Sequence, residues 1–148
     1  MDSLTKNKYI YIKNMLSVDL IEYLSTWHLK NYKKTMKDDQ VPLAFSKHSR
    51  LYLGGAELKK HLDREACEIS ASITLKYFYA DKTYQWPLCM GNTPINIKSG
   101  DGVIYKGCEI EHWRPIFQQP KKYWHHQVFV HYVDLNGPYA DEKEEVYE

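Results

Sequence analysis

The sequence predicts a mainly β protein, a sandwich or barrel of short strands braced by one N-terminal helix. Three observations support this fold class. From residue 49 onward, segments rich in β-branched and aromatic residues alternate with Gly, Pro, Asn and Asp turns at regular spacing. Tyrosine, which favours strands, occurs 13 times in 148 residues. One amphipathic segment near the N-terminus has the helical period.

The single helix is predicted over residues 18–34. Its apolar side chains recur at three- and four-residue steps, and Ser17 precedes them as a candidate N-cap. We expect this helix to lie on a sheet as a structural brace. The residues that define its period are Leu20, Ile21, Leu24, Trp27 and His28.

The strands are predicted from alternation and from the turn residues between them. They cover residues 9–13, 50–53, 57–63, 67–79, 86–90, 95–97, 103–106 and 127–133. In the longest of them, Ser70, Ser72, Thr74 and Lys76 share one face. Such a face suits the wall of a polar cavity, and solvent exposure would explain it as well.

No linker or internal repeat divides the chain, so we expect residues 1–148 to form a single domain. Its β core spans 49–137, and an acidic tail covers 138–148. Residues 36–47 break the helical pattern with a charged turn and Pro42. This segment is predicted either as a loop near the opening of a site or as an ordinary connector.

The overall composition argues against several classes of protein. A formal net charge of +1 gives no electrostatic case for nucleic acid or a membrane as the main partner. No apolar run approaches the roughly 18 residues of a membrane span. The first residues lack the apolar core of a signal peptide, so a cytoplasmic protein is expected. Cys67, Cys89 and Cys108 have no C-x-x-C spacing and are expected to be reduced thiols.

A candidate metal site begins at His61-Leu62-Asp63. In a strand, residues two apart point to the same face, so His61 and Asp63 would present an imidazole and a carboxylate side by side. Two such groups can occupy adjacent positions on a divalent metal. A second histidine would complete the two-histidine, one-carboxylate face of non-haem Fe(II) oxygenases.

The third ligand has several candidates, of which His112 fits best. It follows a glycine turn, a strand and a second glycine, where a strand could return beside His61 after about four short strands. The competing histidines lie on the predicted helix, before a strand, as an adjacent pair, or deep in the last strand. They are His28, His48, His125, His126 and His131.

Three motifs together resemble a known family. They are Tyr52-x-x-Gly-x-x-Leu-x-x-His61-x-Asp63, the hairpin Lys98-Ser-Gly-Asp-Gly-Val-Ile-Tyr105, and His112-x-x-Pro115. This pattern resembles the 2-oxoglutarate and Fe(II)-dependent dioxygenases, in particular the prolyl-4-hydroxylase-like branch. Segments 64–70 and 107–114 are similar to short members of that branch that are common in phage and marine microbial genomes. The resemblance covers residues 52–137.

The resemblance implies a double-stranded β-helix, which is a jelly-roll barrel, with Fe(II) bound by His61, Asp63 and His112. It implies 2-oxoglutarate and O2 as cosubstrates and the release of succinate and CO2. The reaction would hydroxylate a C–H bond of a peptidyl, prolyl-type substrate or of a small molecule. A phage-encoded member would act in the host cytoplasm.

The far carboxylate of 2-oxoglutarate requires a buried partner, because an unpaired buried carboxylate is costly. In many relatives an Arg or Lys at the start of the last strand supplies it, and here that position lies near His125. We expect Arg114 or Lys76 to replace it, with Tyr52 as a hydrogen-bond partner. The alternatives are purely structural roles: a surface position for Lys76 and an ion pair of Arg114 with Glu109 or Glu111.

Two other functions compete with the oxygenase. The first is a non-catalytic jelly-roll module, binding or structural, that keeps a relic metal pocket. The second is a cupin-like metal enzyme that uses no oxoacid, although His-x-Asp before a distal histidine fits cupins less well. The sequence leaves the identity of the substrate and the oligomeric state open.

Overall fold

Two antiparallel sheets form the body of the computed structural model, which describes residues 3–35 and 49–142. The helices are α1 (Ser3–Asn7) and α2 (Val18–Thr35), and short 3-10 turns cover Glu65–Cys67 and Ala140–Glu142. The strands are β1 (Tyr9–Ile12), β2 (Ser49–Leu53), β3 (Leu58–His61), β4 (Ile69–Phe78), β5 (Leu88–Met90), β6 (Thr93–Ile95), β7 (Gly102–Lys106), β8 (His112–Arg114) and β9 (Trp124–Tyr132).

The strand order is nested. One sheet runs β1-β7-β4-β9-β2 and the other β3-β8-β5-β6. From β2 onward the chain therefore pairs with itself from its ends inward: β2 with β9, β3 with β8, β4 with β7, and β5 with β6. Successive pairs alternate between the two sheets, so from β2 onward every connection crosses from one sheet to the other except the turn that joins β5 to β6.

The core lies between the sheets. Apolar side chains from both of them meet there because each strand turns one face inward. The largest cluster consists of Leu88, Met90, Ile97, Val103 and Tyr105. A second cluster, at the end where β4 finishes, consists of Tyr52, Trp86 and Phe117.

Helix α2 matches its predicted range, and Ser17 caps it: the Leu20 N–H donates to Ser17 Oγ at 3.3 Å. Its buried face is narrower than the sequence pattern predicts. Ile21, Ser25 and His28 are buried, whereas Leu20 and Trp27 are largely exposed. The buried face contacts the five-stranded sheet through His28, whose Nδ1 lies 3.3 Å from Ser49 Oγ.

Most predicted strands are present, with small shifts at their ends. The predicted strand 57–63 is shorter, because β3 ends at His61. Helix α1 was not predicted. The predicted loop over 36–47 lies outside the described residues, as does the end of the acidic tail beyond residue 142.

Two further expectations concern the whole chain. All three cysteines lie in the described ranges, and none forms a disulfide. Neither described stretch contains a helix with the length and apolar content that crossing a bilayer requires.

Acid is expected to destabilise the contact between α2 and the sheet. Ser49 Oγ lies 3.1 Å from Nε2 of His126, which is 1% exposed, and the His28 and His126 rings are 5.1 Å apart. Burial lowers the pKa of His126 to about 3, with a further contribution from His28, and burial also lowers the pKa of His28. Both rings are therefore neutral when folded. The unfolded chain binds more protons below its ordinary histidine pKa of about 6.5, so stability falls as the pH drops from there.

His126→Gln should flatten this pH dependence. We expect the loss of unfolding free energy between pH 7 and pH 5 to shrink by about 2 kcal/mol. Urea unfolding at both pH values measures it. His61→Gln is the matched control, because the neighbouring Asp63 raises the pKa of His61 and that histidine does not contribute to acid loss. Equal slopes for His126→Gln and the native chain would contradict the prediction.

Candidate metal centre and the pocket behind it

Strand pairing brings the two predicted histidines together. His61 on β3 and His112 on β8 are register partners, and their ring centroids are 4.3 Å apart. Asp63 lies just past the end of β3 rather than within it. Its backbone N–H donates to the Gly107 carbonyl at 2.9 Å, which fixes its position beside the two rings.

The three side chains converge on one point. Asp63 Oδ1 lies 3.6 Å from His61 Nε2 and 3.4 Å from His112 Nε2, and all three ligand atoms lie within 4.8 Å of one another. In each histidine Nδ1 lies close to a backbone carbonyl, that of Lys59 at 2.7 Å and that of Ile110 at 3.1 Å. A proton on each Nδ1 makes both hydrogen bonds and leaves both Nε2 lone pairs directed at the shared point.

The centre is open on one side. The His61 side chain is 39% exposed, whereas those of Asp63 and His112 are 13% and 3% exposed. Burial alone would raise the pKa of Asp63, but its interactions with His112, His61 and Ser70 outweigh burial and hold the pKa well below the ordinary value. The carboxyl is therefore an anion at neutral pH. Two imidazoles and one carboxylate are the donor set of non-haem Fe(II) sites with open positions.

Gly107 leaves the space that Asp63 occupies. A Cβ at residue 107 would lie 2.4 Å from the Cys67 carbonyl oxygen and 2.5 Å from Asp63 Oδ2, so an added methyl group must displace the carboxylate or the backbone. We expect Gly107→Ala to lower the unfolding free energy by about 1–3 kcal/mol and to weaken metal binding.

Gly91→Ala is the control for Gly107→Ala. Gly91 also lies outside any regular strand, and its φ of +57° makes a side chain costly, but nothing lies within 4 Å of the position that a Cβ would take there. We expect it to lose stability without losing metal affinity. Calorimetric titration with Mn(II) measures the difference, and equal affinities for the two variants would contradict the prediction.

Arg114 is the charged residue behind the centre. It follows His112 by two residues on β8, so both side chains point between the sheets, and it is 1% exposed. Its guanidinium lies over the Trp86 ring, 4.6 Å from the centroid, and Nη1 donates to the Trp86 carbonyl. Glu109 and Glu111 pair instead with lysines, which excludes the alternative of an ion pair between Arg114 and either of them.

The rest of the guanidinium has no partner among the described residues. Nε and Nη2 of Arg114 and the hydroxyl of buried Tyr52 form no hydrogen bond. Burial lowers the pKa of Arg114 to about 10, which leaves it a cation at neutral pH. A buried cation with two unpaired nitrogens is costly unless an anion accepts from them. A planar carboxylate fits the fork of an Arg side chain.

The other two candidates for holding the far carboxylate of 2-oxoglutarate are His125, which lacks charge, and Lys76, which lies elsewhere. Burial holds the pKa of His125 far below its usual value. Its nitrogens lie 2.7 Å from the Tyr79 hydroxyl and 3.4 Å from Thr74 Oγ1, so it is a neutral, fully partnered ring. It cannot supply a positive charge to the pocket.

The prediction that Lys76 faces the site is wrong. Thr74 pairs with Gln127 but Lys76 with His126, so Leu75 is an extra residue in β4, a β-bulge. Up to Thr74 the hydroxyl face points inward: Ser70 contacts Asp63, and Thr74 contacts His125. Beyond the bulge the alternation is inverted, and Lys76 forms an ion pair with Glu22 of α2.

Two contributors to the site have no sequence signal of their own. Gly107 touches Asp63 only because the turn after β7 lies against the end of β3. Trp86 covers the guanidinium, although its sequence context indicates ordinary packing. Ser70 belongs to the predicted hydroxyl face, but nothing in the pattern links it to Asp63 rather than to solvent.

Three solved structures share this fold over 90% of the chain. The prolyl-4-hydroxylase of Pseudomonas putida matches with a TM-score of 0.62 and 15% identity over 92% of its own chain. The viral collagen prolyl hydroxylase vCPH of Paramecium Bursaria Chlorella virus-1 matches as a truncated form with a TM-score of 0.56 and 15% identity over 95% of that chain. Its 2OG complex matches with a TM-score of 0.52 and 14% identity over that entire chain.

The comparisons that use sequence alone find no match to this chain. No protein-family profile matches the chain. No curated protein matches it at a significant level. At 15% identity the solved structures establish a shared fold. The chain thus has the fold of the prolyl-4-hydroxylases, the branch of the 2-oxoglutarate and Fe(II)-dependent dioxygenases that its motifs resemble.

Proposed function

We propose that this protein is an Fe(II)- and 2-oxoglutarate-dependent dioxygenase that hydroxylates a C–H bond and releases succinate and CO2. The observation that carries this proposal is Arg114. A buried, half-satisfied guanidinium lies two residues from His112 on the same face of β8. Two residues along a strand span roughly 7 Å, a separation that suits a short diacid held at both ends. A metal site alone would not require such a cation.

His61, Asp63 and His112 would hold the iron. Their donor set suits Fe(II), and three protein ligands on one side leave positions for the keto acid and for O2. When bound, the iron activates O2 and provides the oxidising power for C–H hydroxylation. The chain's own contribution is to fix the two Nε2 atoms through the Lys59 and Ile110 carbonyls and to keep Asp63 ionised.

Arg114 and Tyr52 would bind the far carboxylate of 2-oxoglutarate. Nε and Nη2 of Arg114 can donate to its two oxygens, and the Tyr52 hydroxyl is a third donor. Tyr52 and Trp86 pack edge to face with ring centroids 5.1 Å apart, and Phe117 is fully buried beside them. This aromatic wall excludes water and thereby strengthens the ionic contact.

The nested strand order supports the finer fold assignment. Pairs that alternate between two facing sheets, from the chain ends inward, are the topology expected of a double-stranded β-helix. In this proposal α2 braces the outer face of the five-stranded sheet through Ile21, His28 and the Glu22–Lys76 ion pair.

The proposed substrate is a peptidyl, prolyl-type residue or a small molecule. The named activity of the structurally similar proteins favours prolyl hydroxylation. Beside the metal centre the His61 side chain is 39% exposed and Leu62 is 50% exposed, so a large substrate could approach the metal from this side. A peptide or protein loop fits that open approach.

One anaerobic experiment tests the function. Fe(II) and 2-oxoglutarate are added to the protein, and the weak visible charge-transfer band of the chelate is recorded. O2 is then admitted and succinate is measured. We expect the band and succinate with the native chain and neither with His112→Ala. Metal binding without the band would favour a cupin-like enzyme, and a band without succinate would favour a relic pocket.

A further inference from the structure

We infer that Ser70 and His131 act as positioning residues that hold Asp63 so that a single carboxylate oxygen faces the metal. Within the site proposed above, this assigns a role to two side chains that are not metal ligands. The inference rests on the proposed metal site, and the experiment below separates the failure of one from the failure of the other.

The two residues form a short chain of contacts that ends on the carboxylate. Ser70 Oγ lies 3.0 Å from Asp63 Oδ2 and 2.8 Å from His131 Nδ1. Ser70 is fully buried, and His131 is its register partner on β9. The contact between Ser70 and His131 is therefore fixed by the pairing of two central strands, and Asp63 is held beside them by its backbone hydrogen bond to Gly107.

The Ser70 hydroxyl has four hydrogen-bond partners within reach: Asp63 Oδ2, the Cys67 carbonyl at 3.1 Å, His131 Nδ1 and the hydroxyl of its register partner Tyr105. A serine hydroxyl has one proton to donate and two lone pairs that accept. The anionic oxygen of Asp63 is the strongest acceptor among these partners, because hydrogen bonds to charged groups are about twice as strong as neutral ones.

This assignment fixes the direction of the other contact. If Ser70 donates to Asp63, the close approach of Ser70 Oγ and His131 Nδ1 requires His131 to donate. His131 Nδ1–H then points to Ser70 Oγ, and Ser70 Oγ–H points to Asp63 Oδ2. Hydrogen bonds in such a chain polarise and strengthen one another.

The consequence lies on the other side of the carboxylate. With Oδ2 held by Ser70, Oδ1 is the oxygen that lies near both His112 Nε2 and His61 Nε2. Oδ2 lies on the side of Gly107, where a Cβ would be 2.5 Å from it, so only a glycine fits beside the carboxylate in this orientation. Asp63 thus offers the metal one oxygen, and the position that a second oxygen would take stays available.

Ser70→Ala should therefore weaken metal binding without disturbing the ligands themselves. Outer partners of metal ligands typically contribute about 10–100-fold in affinity, and we expect a loss in that range for Mn(II) measured by calorimetric titration. Ser70→Thr, which keeps the hydroxyl, should restore affinity to near the native value. A merely structural role for residue 70 would not produce this selective rescue.

Ser72→Ala is the matched control. Ser72 lies on the same strand and the same inner face, is equally buried, and accepts a hydrogen bond from Gln127 Nε2 at 3.1 Å rather than contacting Asp63. We expect it to change Mn(II) affinity little. His131→Leu provides a second test should Ser70→Ala not fold. It leaves the ligands and Ser70 in place, and a smaller loss of Mn(II) affinity is expected.

The outcomes distinguish a failure of the proposed metal site from a failure of the positioning role of Ser70 and His131. If the native chain binds no Mn(II), or if His112→Ala binds Mn(II) as tightly as the native chain does, the proposed metal site is wrong. The inference about Ser70 and His131 is then wrong as well. If His112→Ala abolishes binding but Ser70→Ala and His131→Leu keep native affinity, the positioning role alone is overturned. Equal losses for Ser70→Ala and Ser72→Ala would also overturn it.

Discussion

Arg114→Met is expected to lose 2-oxoglutarate binding and yet to make the protein more stable. The guanidinium is buried with two nitrogens that have no hydrogen-bond partner, and the described residues place no carboxylate beside it. Replacing a poorly paired buried charge by an apolar side chain of similar length stabilises proteins by about 1–4 kcal/mol. The same change removes the cation that would hold the far carboxylate, worth about 3 kcal/mol or roughly 100-fold in affinity.

The two effects are measured separately. Urea unfolding gives the stability of the protein without ligand, and titration of 2-oxoglutarate into the anaerobic Fe(II)-loaded protein gives the affinity. Arg114→Lys should retain intermediate affinity, because a lysine keeps the charge but not the two-pronged donor geometry.

Lys76→Met is the matched control. Lys76 pairs with Glu22 on the outer face, so its loss should leave 2-oxoglutarate affinity unchanged. Normal binding by Arg114→Met, or lost binding by Lys76→Met, would show that the wrong cation has been assigned to the pocket.

Asp63→Ala is expected to abolish metal-dependent succinate formation while the protein remains folded. Asp63 lies outside the strands, so no ladder depends on its side chain, and it supplies the only anionic ligand of the proposed centre. His61→Ala should behave alike, because its side chain is 39% exposed. His112→Ala should cost more stability than either, since the ring is buried against Tyr105 at 4.6 Å.

Mn(II) titration and thermal unfolding of the three variants test this order. Asp81→Ala is the control for the loss of a carboxylate, because Asp81 only caps the turn at Thr83. Metal-dependent turnover by Asp63→Ala would exclude the carboxylate as a ligand. An unfolded Asp63→Ala chain would place that residue in the structural core instead.

Local patterns predicted those parts of the fold and site that depend on neighbouring residues. Alternation located the strands, and the helical period with Ser17 located α2. The separation of two residues between His61 and Asp63 predicted their common direction, although β3 ends before Asp63. The partnership with His112 required the resemblance to a family as well, because pairing between distant strands leaves no mark in a local window.

The misplacement of Lys76 has a specific physical cause. Alternation predicts the direction of a side chain only while every residue has a partner on the next strand, and Leu75 has none. The same limit applies to Arg114: its spacing from His112 predicted the direction correctly, but the absence of a partner emerges only when the surrounding side chains are in place.

The bulge at Leu75 also decides which strand can hold the cation of this pocket. A chain without the bulge would pair Leu75 with His126 and Lys76 with His125, so the hydroxyl face would continue and Lys76 would point inward in the place that Tyr77 now takes. It would then carry two buried cations, on β4 and β8, competing for one carboxylate. A single unpaired residue thus directs Lys76 to the helix and leaves Arg114 as the cation of the interior among the described residues.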